Sequence, residues 1–420
     1  MNRYRANPRL LAPLLAGLAM LGPFSIDAFF PAFRAMQAEL DVGPDAMQLT
    51  LSAYLGAYAV MSLIHGPLSD SFGRRGVIVY SLLVFVAASA GCALATSFET
   101  LMLFRLLQGA SAGAGMIVGR AIIRDRFDGA DAQRLMSQVT LIFGVAPAVA
   151  PIIGGWVLTI AGWRAIFWAL GGFTAMLVVL SIGALPETHP RERRVRLAPK
   201  PLLRTYGKIT GDGRFLLLGA AASLNFGALF TYIASAPAIV LNLLHLNERE
   251  FAWLFVPTIG GMMIGSLLSG RLAGRISTLR TVQLAYTLMG VGTLINLVVS
   301  STLPPGLPWT VLPIGLIGMG VSLAFPTLTL LMLDRFPAVR GAAASVQAAL
   351  TLSFSAVVSG VVAPLVSHGT LPLALTAASL SFSGFILWRF YCRVTPLPEP
   401  TVLQAQTQPV SVVSASSSEN

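Results

Sequence analysis

Apolar stretches about 20 residues long recur along almost the whole chain, and this feature constrains the possible folds more than any other. A helix needs roughly 20 residues to cross about 30 Å of hydrocarbon. The chain is also 55% hydrophobic and only 11% charged, whereas soluble domains carry about 25% charged residues. We therefore predict an all-α membrane protein with twelve transmembrane helices. The predicted spans 1 to 12 are 11–33, 46–69, 76–96, 98–119, 135–161, 163–185, 214–241, 250–270, 278–301, 308–333, 340–366 and 370–390.

The basic residues are distributed unevenly between the two sides of the predicted membrane. Of the 28 Lys and Arg residues, three lie on one side (Arg34, Arg164 and Arg249) and one, Arg105, lies inside span 4, which leaves 24 on the side of the termini. Arg120 is among these, in the predicted loop after span 4. Loops rich in Lys and Arg stay in the cytoplasm. Both termini are therefore predicted to be cytoplasmic.

A polar interval at 186–213, rich in Pro and Arg, divides the spans into two sets of six. We predict that it is a cytoplasmic linker between six-helix bundles at 1–185 and 214–393, and that the polar tail 394–420 is disordered. Short segments recur between the halves: GPLSDSFGRR (66–75) has a counterpart in GRLAGRIS (270–277), and Asp-Arg-Phe follows both span 4 and span 10. These echoes predict two six-helix pseudo-repeats, a construction of many transporters that bind substrate between the halves.

Asp27 is a carboxylate in an otherwise apolar span, and Arg105 is the only cation that lies inside a predicted span more than two residues from its end. A charged group at the centre of a membrane helix costs about 2.5 to 3.5 kcal/mol and needs a partner. Counted from the outer ends of their spans, both residues lie roughly 9 Å deep, so an ion pair or a water-bridged contact can form. Asp27 is predicted to bind a proton or a cationic substrate, with Arg105 holding its carboxylate. The alternative is a purely structural buried pair.

Span 5 contains GVAPAVAPIIGGW (144–156), whose prolines and glycines are predicted to kink the helix and to let another backbone approach closely. Aromatic and amide side chains of other spans are weaker candidates for the wall of a substrate cavity, because each taken alone is more often packed or lipid-facing. These candidates are Phe30, Tyr54, Tyr58, Gln108, Asn225, Tyr232 and Phe255.

The sequence contains no signature of an enzyme, a cofactor or a metal site. It has no HExxH, Cys-x-x-Cys or P-loop motif, and its four histidines are scattered. We expect no catalysis, no cofactor and no bound ATP, and an ion gradient as the source of energy. No nucleic-acid partner is expected either, because the net charge of +11 follows the membrane topology. A channel or a sensor is disfavoured, since the sequence shows neither a filter-like segment nor a sizeable soluble domain.

Several of these segments together resemble motifs of a known family. GPLSDSFGRR between spans 2 and 3, LFRLLQG in span 4 and APIIGG in span 5 are similar to motifs of the major facilitator superfamily and of its drug:proton antiporters. More narrowly, IDAFFPAF in span 1 and GRAIIRDRF after span 4 resemble the Bcr/CflA group, which includes bicyclomycin and chloramphenicol exporters of bacterial inner membranes. The resemblance covers all twelve predicted spans.

The resemblance implies roles for particular residues. Asp27 matches a protonation site, and Arg105 matches an arginine associated with proton coupling. A gating loop that locks the cytoplasmic face in the outward-open state is implied for Gly66, Asp70, Gly73, Arg74 and Arg75. An antiporter bend is implied for Gly144, Pro147, Pro151, Gly154 and Gly155.

Two positions depart from the family's pattern. Ala150 stands where the antiporter motif has a glycine before the proline, and span 1 carries a phenylalanine where the group more often has a tyrosine. The first departure weakens the motif as a sign of export. The second implies a different drug spectrum.

We predict a proton-coupled antiporter that exports small, largely apolar drug-like molecules across the bacterial inner membrane by alternating access. Its expected partners are the drug, protons and the lipid bilayer, and we expect a monomer. The alternative is a proton-coupled transporter of a small metabolite with the same fold, because a fold does not decide the substrate.

Overall fold

The protein is described by a computed structural model that covers residues 8–127, 129–194 and 197–395. Helices are the regular secondary structure of these ranges, and twelve helical segments in them are long and apolar enough to cross a membrane. The prediction of an all-α protein with twelve spans is confirmed. Of the predicted disordered tail, 396–420 lies outside the described residues, and Val394 is the last residue of a helix.

The helices give the twelve spans their observed bounds. Span 1 is Pro8–Asp27 with Phe33–Leu40, span 2 Pro44–Phe72, span 3 Arg74–Ala93, span 4 Phe98–Ala112 with Ala114–Arg126, span 5 Gly129–Ala161 and span 6 Trp163–Ala184. Span 7 is Gly213–Ala234 with Ala238–Leu243, span 8 Ala252–Leu272, span 9 Thr278–Thr302, span 10 Leu312–Asp334, span 11 Arg340–Val357 with Val358–Val362 and Ala363–Val366, and span 12 Thr370–Val394.

Several spans differ from their predicted bounds in ways that move charged residues, and spans 1 and 4 matter most for the candidate site. The first helix of span 1 ends at Asp27 itself, and the span continues to Leu40 through a 3-10 turn. Span 4 continues to Arg126, so Arg120 lies inside a helix and the prediction that places it in a loop is wrong. The predicted bounds were too short because an apolar run ends at the first cluster of charged residues. A helix continues beyond that point as long as its backbone hydrogen bonds continue and its charged side chains reach water.

We call the membrane face that carries both ends of the described chain the inner face and the opposite one the outer face. The two sets of six spans contact each other directly where span 2 packs on span 11 and span 5 packs on span 8. Hydrogen bonds across this boundary lie near the outer ends of the spans. They join Gln48 to Ala234, Ser52 to Ala356, Arg34 to Leu241 and Arg249 to Thr159. The halves are thus closed against each other at the outer face.

At the inner face, a linker helix, Pro199–Thr210, connects the halves. It packs on spans 7 and 11, and the Tyr206 hydroxyl donates to the carbonyl oxygen of Leu63 in span 2 at 2.6 Å. That carbonyl lacks the usual helical donor because Pro67, four residues on, has no N–H. The linker therefore satisfies a group that the proline leaves unpaired.

Spans 7 and 10 are joined at the inner face by an ion pair between Asp212 and Arg335. Arg335 donates two hydrogen bonds to the Asp212 carboxylate, at 3.1 and 2.6 Å, and the same carboxylate accepts from the Phe215 N–H at 2.8 Å. Partial burial raises the pKa of Asp212, but the hydrogen bonds and the charge of Arg335 outweigh it and hold the pKa below its ordinary value of 3.8. A carboxyl whose pKa is lower in the folded state stabilises the fold above its unfolded pKa.

We expect Asp212→Asn to lower the melting temperature at pH 7, because the amide keeps the helix cap and loses the charge. The loss corresponds to about 1 kcal/mol or less for such a part-exposed pair. The difference from wild type shrinks as the pH falls below 3.8, since the wild-type carboxyl then binds a proton. Thermal unfolding of the detergent-purified protein between pH 7 and pH 3 measures this. Asp131→Asn, at an exposed ion pair, is the control, and a difference that does not depend on pH contradicts the assignment.

Candidate functional site

Asp27 lies where the first helix of span 1 ends and the chain turns towards Phe30. The residue is only 3% exposed, and its Oδ1 is buried without a hydrogen-bond partner among the described residues. Burying an ionised carboxylate without a partner costs free energy. Such a group therefore tends to bind a proton or to find a partner. The geometry provides an acidic group that is available for protonation.

Arg105 is fully buried in span 4, within a ring of aromatic and polar groups. Its guanidinium carbon lies 4.3 Å from the ring centroid of Phe29 and 4.5 Å from that of Tyr54. Nη1 donates to Gln108 Oε1 at 2.8 Å and to the carbonyl oxygen of Ser25 at 3.3 Å. The two rings and the two oxygens replace the water that the cation gives up.

Asp27 and Arg105 do not form an ion pair within the described part of the chain. Arg105 instead bonds the backbone of Ser25, two residues before Asp27. The predicted pairing assumed a single straight helix up to Phe33, but the helix ends at Asp27 and the chain continues through a 3-10 turn at Phe30–Ala32. Arg105 Nε and Nη2 have no hydrogen-bond partner among the described residues, so both charged groups have unused bonding capacity.

Serines that the sequence analysis did not single out complete the cluster. Ser25 Oγ lies 2.6 Å from the hydroxyl oxygen of Tyr54, and Gln108 Nε2 donates to Ser89 Oγ at 2.8 Å. A small residue in an apolar span gives little signal by itself. The position of Ser25, two residues before an intramembrane carboxylate, was the one available clue, and nothing in the sequence marked Ser89.

Glycines of span 4 determine where these side chains can lie. A Cβ at Gly109 would overlap the carbonyl oxygen of Tyr54, and a Cβ at Gly113 would overlap the ring of Tyr58. Spans 2 and 4 therefore approach to backbone contact at this level, as small residues allow in membrane helices. This approach places the Tyr54 ring on the Arg105 guanidinium.

The segment predicted to be the gating loop is partly helical. Gly66 and Asp70 lie inside the helix of span 2, and the turn that follows is at Gly73, with φ +97°. Arg74 forms ion pairs with Asp70 at 2.5 Å and with Asp125 at 3.2 Å.

Neighbouring groups also belong to the first six spans and the segment after them. Arg75 donates to the carbonyl oxygen of Ile182, and the Arg74 N–H donates to Glu187. All of these partners lie in the N-terminal half, so the loop does not tie the two halves together in this conformation.

In span 5 the helix runs without interruption through Pro147 and Pro151. The predicted close backbone approach occurs at the two glycines that follow. A Cβ at Gly154 would overlap the carbonyl oxygen of Ala28 in span 1, and one at Gly155 would overlap that of Glu248 in the other half. Gly144 has nothing within 4 Å of its Cβ position.

The seven candidates for a cavity wall are all buried in this conformation. Phe30 stacks on Phe255 with ring centroids 6.2 Å apart, a contact between the halves. Asn225 donates to the Tyr286 hydroxyl at 2.9 Å, and Tyr232 accepts from Asn296. Tyr54, Tyr58 and Gln108 belong to the cluster around Arg105, whereas the polar candidates of the second half pack inside their own bundle.

Comparisons with known proteins give relatives over the length of the chain. The model of the Major Facilitator Superfamily matches residues 15–364. The chain is 28% identical to Multidrug resistance protein D of Escherichia coli over 98% of this chain and 100% of that protein. It is 29% identical to the Bicyclomycin resistance protein homolog of Haemophilus influenzae over 64% of this chain and 68% of that protein. The crystal structure of the human organic anion transporter MFSD10 superposes with a TM-score of 0.66 at 18% identity, covering 91% of this chain and 99% of that one.

We expect Gly154→Ala to separate spans 1 and 5, because the added methyl group meets a backbone oxygen that cannot move aside. Gly172→Ala is the matched control, since it lies in span 6 with open space around its Cβ position. The control should be neutral or stabilised by about 0.5 to 1 kcal/mol through helix propensity. Melting temperature and the monodisperse yield of both variants measure the difference. Equal behaviour of the two variants contradicts the packing role of Gly154.

Proposed function

This chain belongs to the Major Facilitator Superfamily, and from that premise we propose that it exports small drug-like molecules across the bacterial inner membrane in exchange for protons. The relatives named for multidrug and bicyclomycin resistance support drug export. The proposal includes both termini in the cytoplasm, so that the inner face is the cytoplasmic one, and a monomer as the working unit.

The observation that carries the proposal is the buried Asp27 carboxyl, which has an unpartnered oxygen and lies beside the Arg105 cluster. Binding a proton removes the charge of Asp27 in a site that water does not reach. Arg105 cannot lose its proton under physiological conditions. It therefore stays positively charged while Asp27 switches between its ionised and protonated forms. The rings of Phe29 and Tyr54 and the amide of Gln108 hold the guanidinium in place.

Alternating access couples this protonation to transport. In the present conformation the outer face is closed, and the substrate enters from the inner face when Asp27 is ionised. Rocking of the halves then breaks the outer contacts and opens the site to the periplasm, where a proton binds Asp27 and the substrate leaves. The contacts that must break are hydrogen bonds to neutral acceptors, such as the 2.8 Å bond from Ser52 to Ala356, and each is modest in net free energy.

We expect Asp27→Asn to abolish drug-driven proton release, because the amide mimics the protonated carboxyl and cannot lose its proton. Dequenching of a pH probe in inverted membrane vesicles on addition of chloramphenicol and other small drugs measures the release. Asp45→Asn is the matched control, since it is an exposed carboxylate at the outer start of span 2, and it should behave as wild type. Release that survives in Asp27→Asn at equal expression places the proton site elsewhere, and no release in wild type contradicts drug antiport.

A cross-link between the halves at the outer face should stop transport. A Cβ at Gly360 would lie 2.9 Å from the Ser52 Cβ, so a small displacement brings Ser52→Cys and Gly360→Cys to the separation of about 3.8 Å that a disulfide needs. We expect oxidation of this double variant to block drug-driven proton release and reduction to restore it. Each single cysteine variant is the control for oxidation of the native Cys92 and Cys392. Transport that continues in the fully cross-linked protein rules out opening at this contact.

A further inference from the structure

Arg120 is a cation inside the membrane region to which neither the family resemblance nor the proposed proton site assigns a role. It lies in span 4, six residues before the helix ends at Arg126, which is roughly 9 Å from the inner end. Its side chain is exposed and has no hydrogen bond or ion pair among the described residues. Arg124, one turn further on, is likewise exposed and likewise unpaired within that part of the chain.

The side of span 4 that carries Arg120 faces span 2. Gly109 and Gly113, eleven and seven residues earlier on the same side of the helix, pack on Tyr54 and Tyr58 of span 2. Met116, one turn before Arg120, accepts a weak hydrogen bond from the Tyr58 hydroxyl at 3.9 Å. Arg120 itself interacts electrostatically with Tyr58.

These contacts point the guanidinium into protein rather than lipid. Below the level of Tyr58 the Arg120 side chain is exposed, and the hydrogen bonds between the spans of the two halves lie near the outer face. A cation facing lipid at this depth would be unfavourable, whereas water between the halves can hydrate it. Arg120 therefore lines the route that opens to the inner face.

Among the described residues, no acidic side chain forms an ion pair with Arg120 or Arg124. Asp125, the adjacent carboxylate, bonds Arg74 and Thr188 instead. In the second half the only acidic residue within spans 7 to 12 is Asp334, at the inner end of span 10, which pairs with Arg340. Two like charges four residues apart on a helix are unfavourable by a few tenths of a kcal/mol. Within the part of the chain that the structure describes, these two cations have no counter-ion.

We propose that Arg120, together with Arg124 and the Tyr58 hydroxyl, binds an anionic group of the transported molecule. The substrate class is then a small apolar molecule with one carboxylate, sulfonate or phosphate group, and lipophilic cations are disfavoured. A guanidinium presents paired N–H donors that match the two oxygens of such a group, and the Tyr58 hydroxyl supplies a further donor towards the cluster of Arg105. This inference rests on the proposed transport function and adds the charge of the substrate to it.

The test compares two fluorescent probes of the same shape, 2-naphthoate and its neutral amide, 2-naphthamide. The full chain is reconstituted in nanodiscs of phosphatidylcholine, a lipid without net charge, and binding is followed by fluorescence anisotropy. Wild type should bind naphthoate about tenfold more tightly than naphthamide, the size expected of a hydrogen bond between charged groups. In Arg120→Gln this preference should disappear, and Arg120→Lys should keep part of it.

Arg389→Gln is the matched control. Arg389 is an exposed arginine in span 12, five residues before the helix ends, on a span that packs against spans 7 and 9 of its own half. The Arg389→Gln substitution removes the same charge at a similar depth but outside the route. The preference of this variant for naphthoate should therefore equal that of wild type. A preference lost equally in Arg389→Gln shows a general effect of charge and overturns the site.

Other outcomes also overturn the inference. A wild type without preference for naphthoate, or a preference that survives in Arg120→Gln, removes the anion site. Replacing one fifth of the lipid by phosphatidylglycerol tests the other source of anions, and complete loss of naphthoate binding there assigns the site to a lipid headgroup.

Proton release with chloramphenicol in wild-type vesicles is measured separately. If chloramphenicol releases protons but wild type does not prefer naphthoate, antiport stands and the anion site is rejected. If wild type prefers naphthoate but no drug releases protons, the anion site stands and antiport is rejected.

Discussion

An ionised side chain is tolerated inside hydrocarbon only where protein or water replaces its hydration, and the rest of this structure is arranged around that constraint. Arg105 meets it with protein, since two aromatic rings, an amide and a carbonyl oxygen surround its guanidinium. Arg120 is exposed, and in the proposed route water hydrates it. The same constraint applies to the backbone: the carbonyl of Leu63, which a proline leaves without its helical donor, is satisfied by Tyr206.

Close helix packing in the first half is what makes the buried cluster possible. Gly109 and Gly113 let spans 2 and 4 touch, and Gly154 lets span 5 touch span 1 next to Asp27. A larger residue at any of these positions would separate the helices that hold Asp27 and Arg105 in one region. The glycines of the antiporter-like motif are thus explained by helix packing, because they allow two backbones to come into contact. This explanation does not depend on the chemistry of transport.

The second half is built differently. Apart from Arg389 in span 12, its spans carry charged residues only within two residues of their ends, and its buried polar groups, such as Asn225 with Tyr286, bond one another inside the bundle. In the proposed mechanism, protonation and charge recognition belong to the first half, while the second half supplies surfaces that close on it, including the Phe255 ring against Phe30. The hydrogen bonds between the halves at the outer face have neutral acceptors, which suits the opening and closing that the proposed mechanism requires.

The sequence by itself determined the number of spans, the all-α class and two of the charged residues inside the membrane, Asp27 and Arg105. These features are local, because they follow from the length of apolar runs and from residue types. The tertiary structure alone decided that Asp27 and Arg105 are not paired, that Ser25 and Ser89 complete the cluster, and that Arg120 lies in a helix rather than a loop. Side-chain partners depend on how far helices are shifted and rotated against one another, and packing between residues distant in the chain sets both.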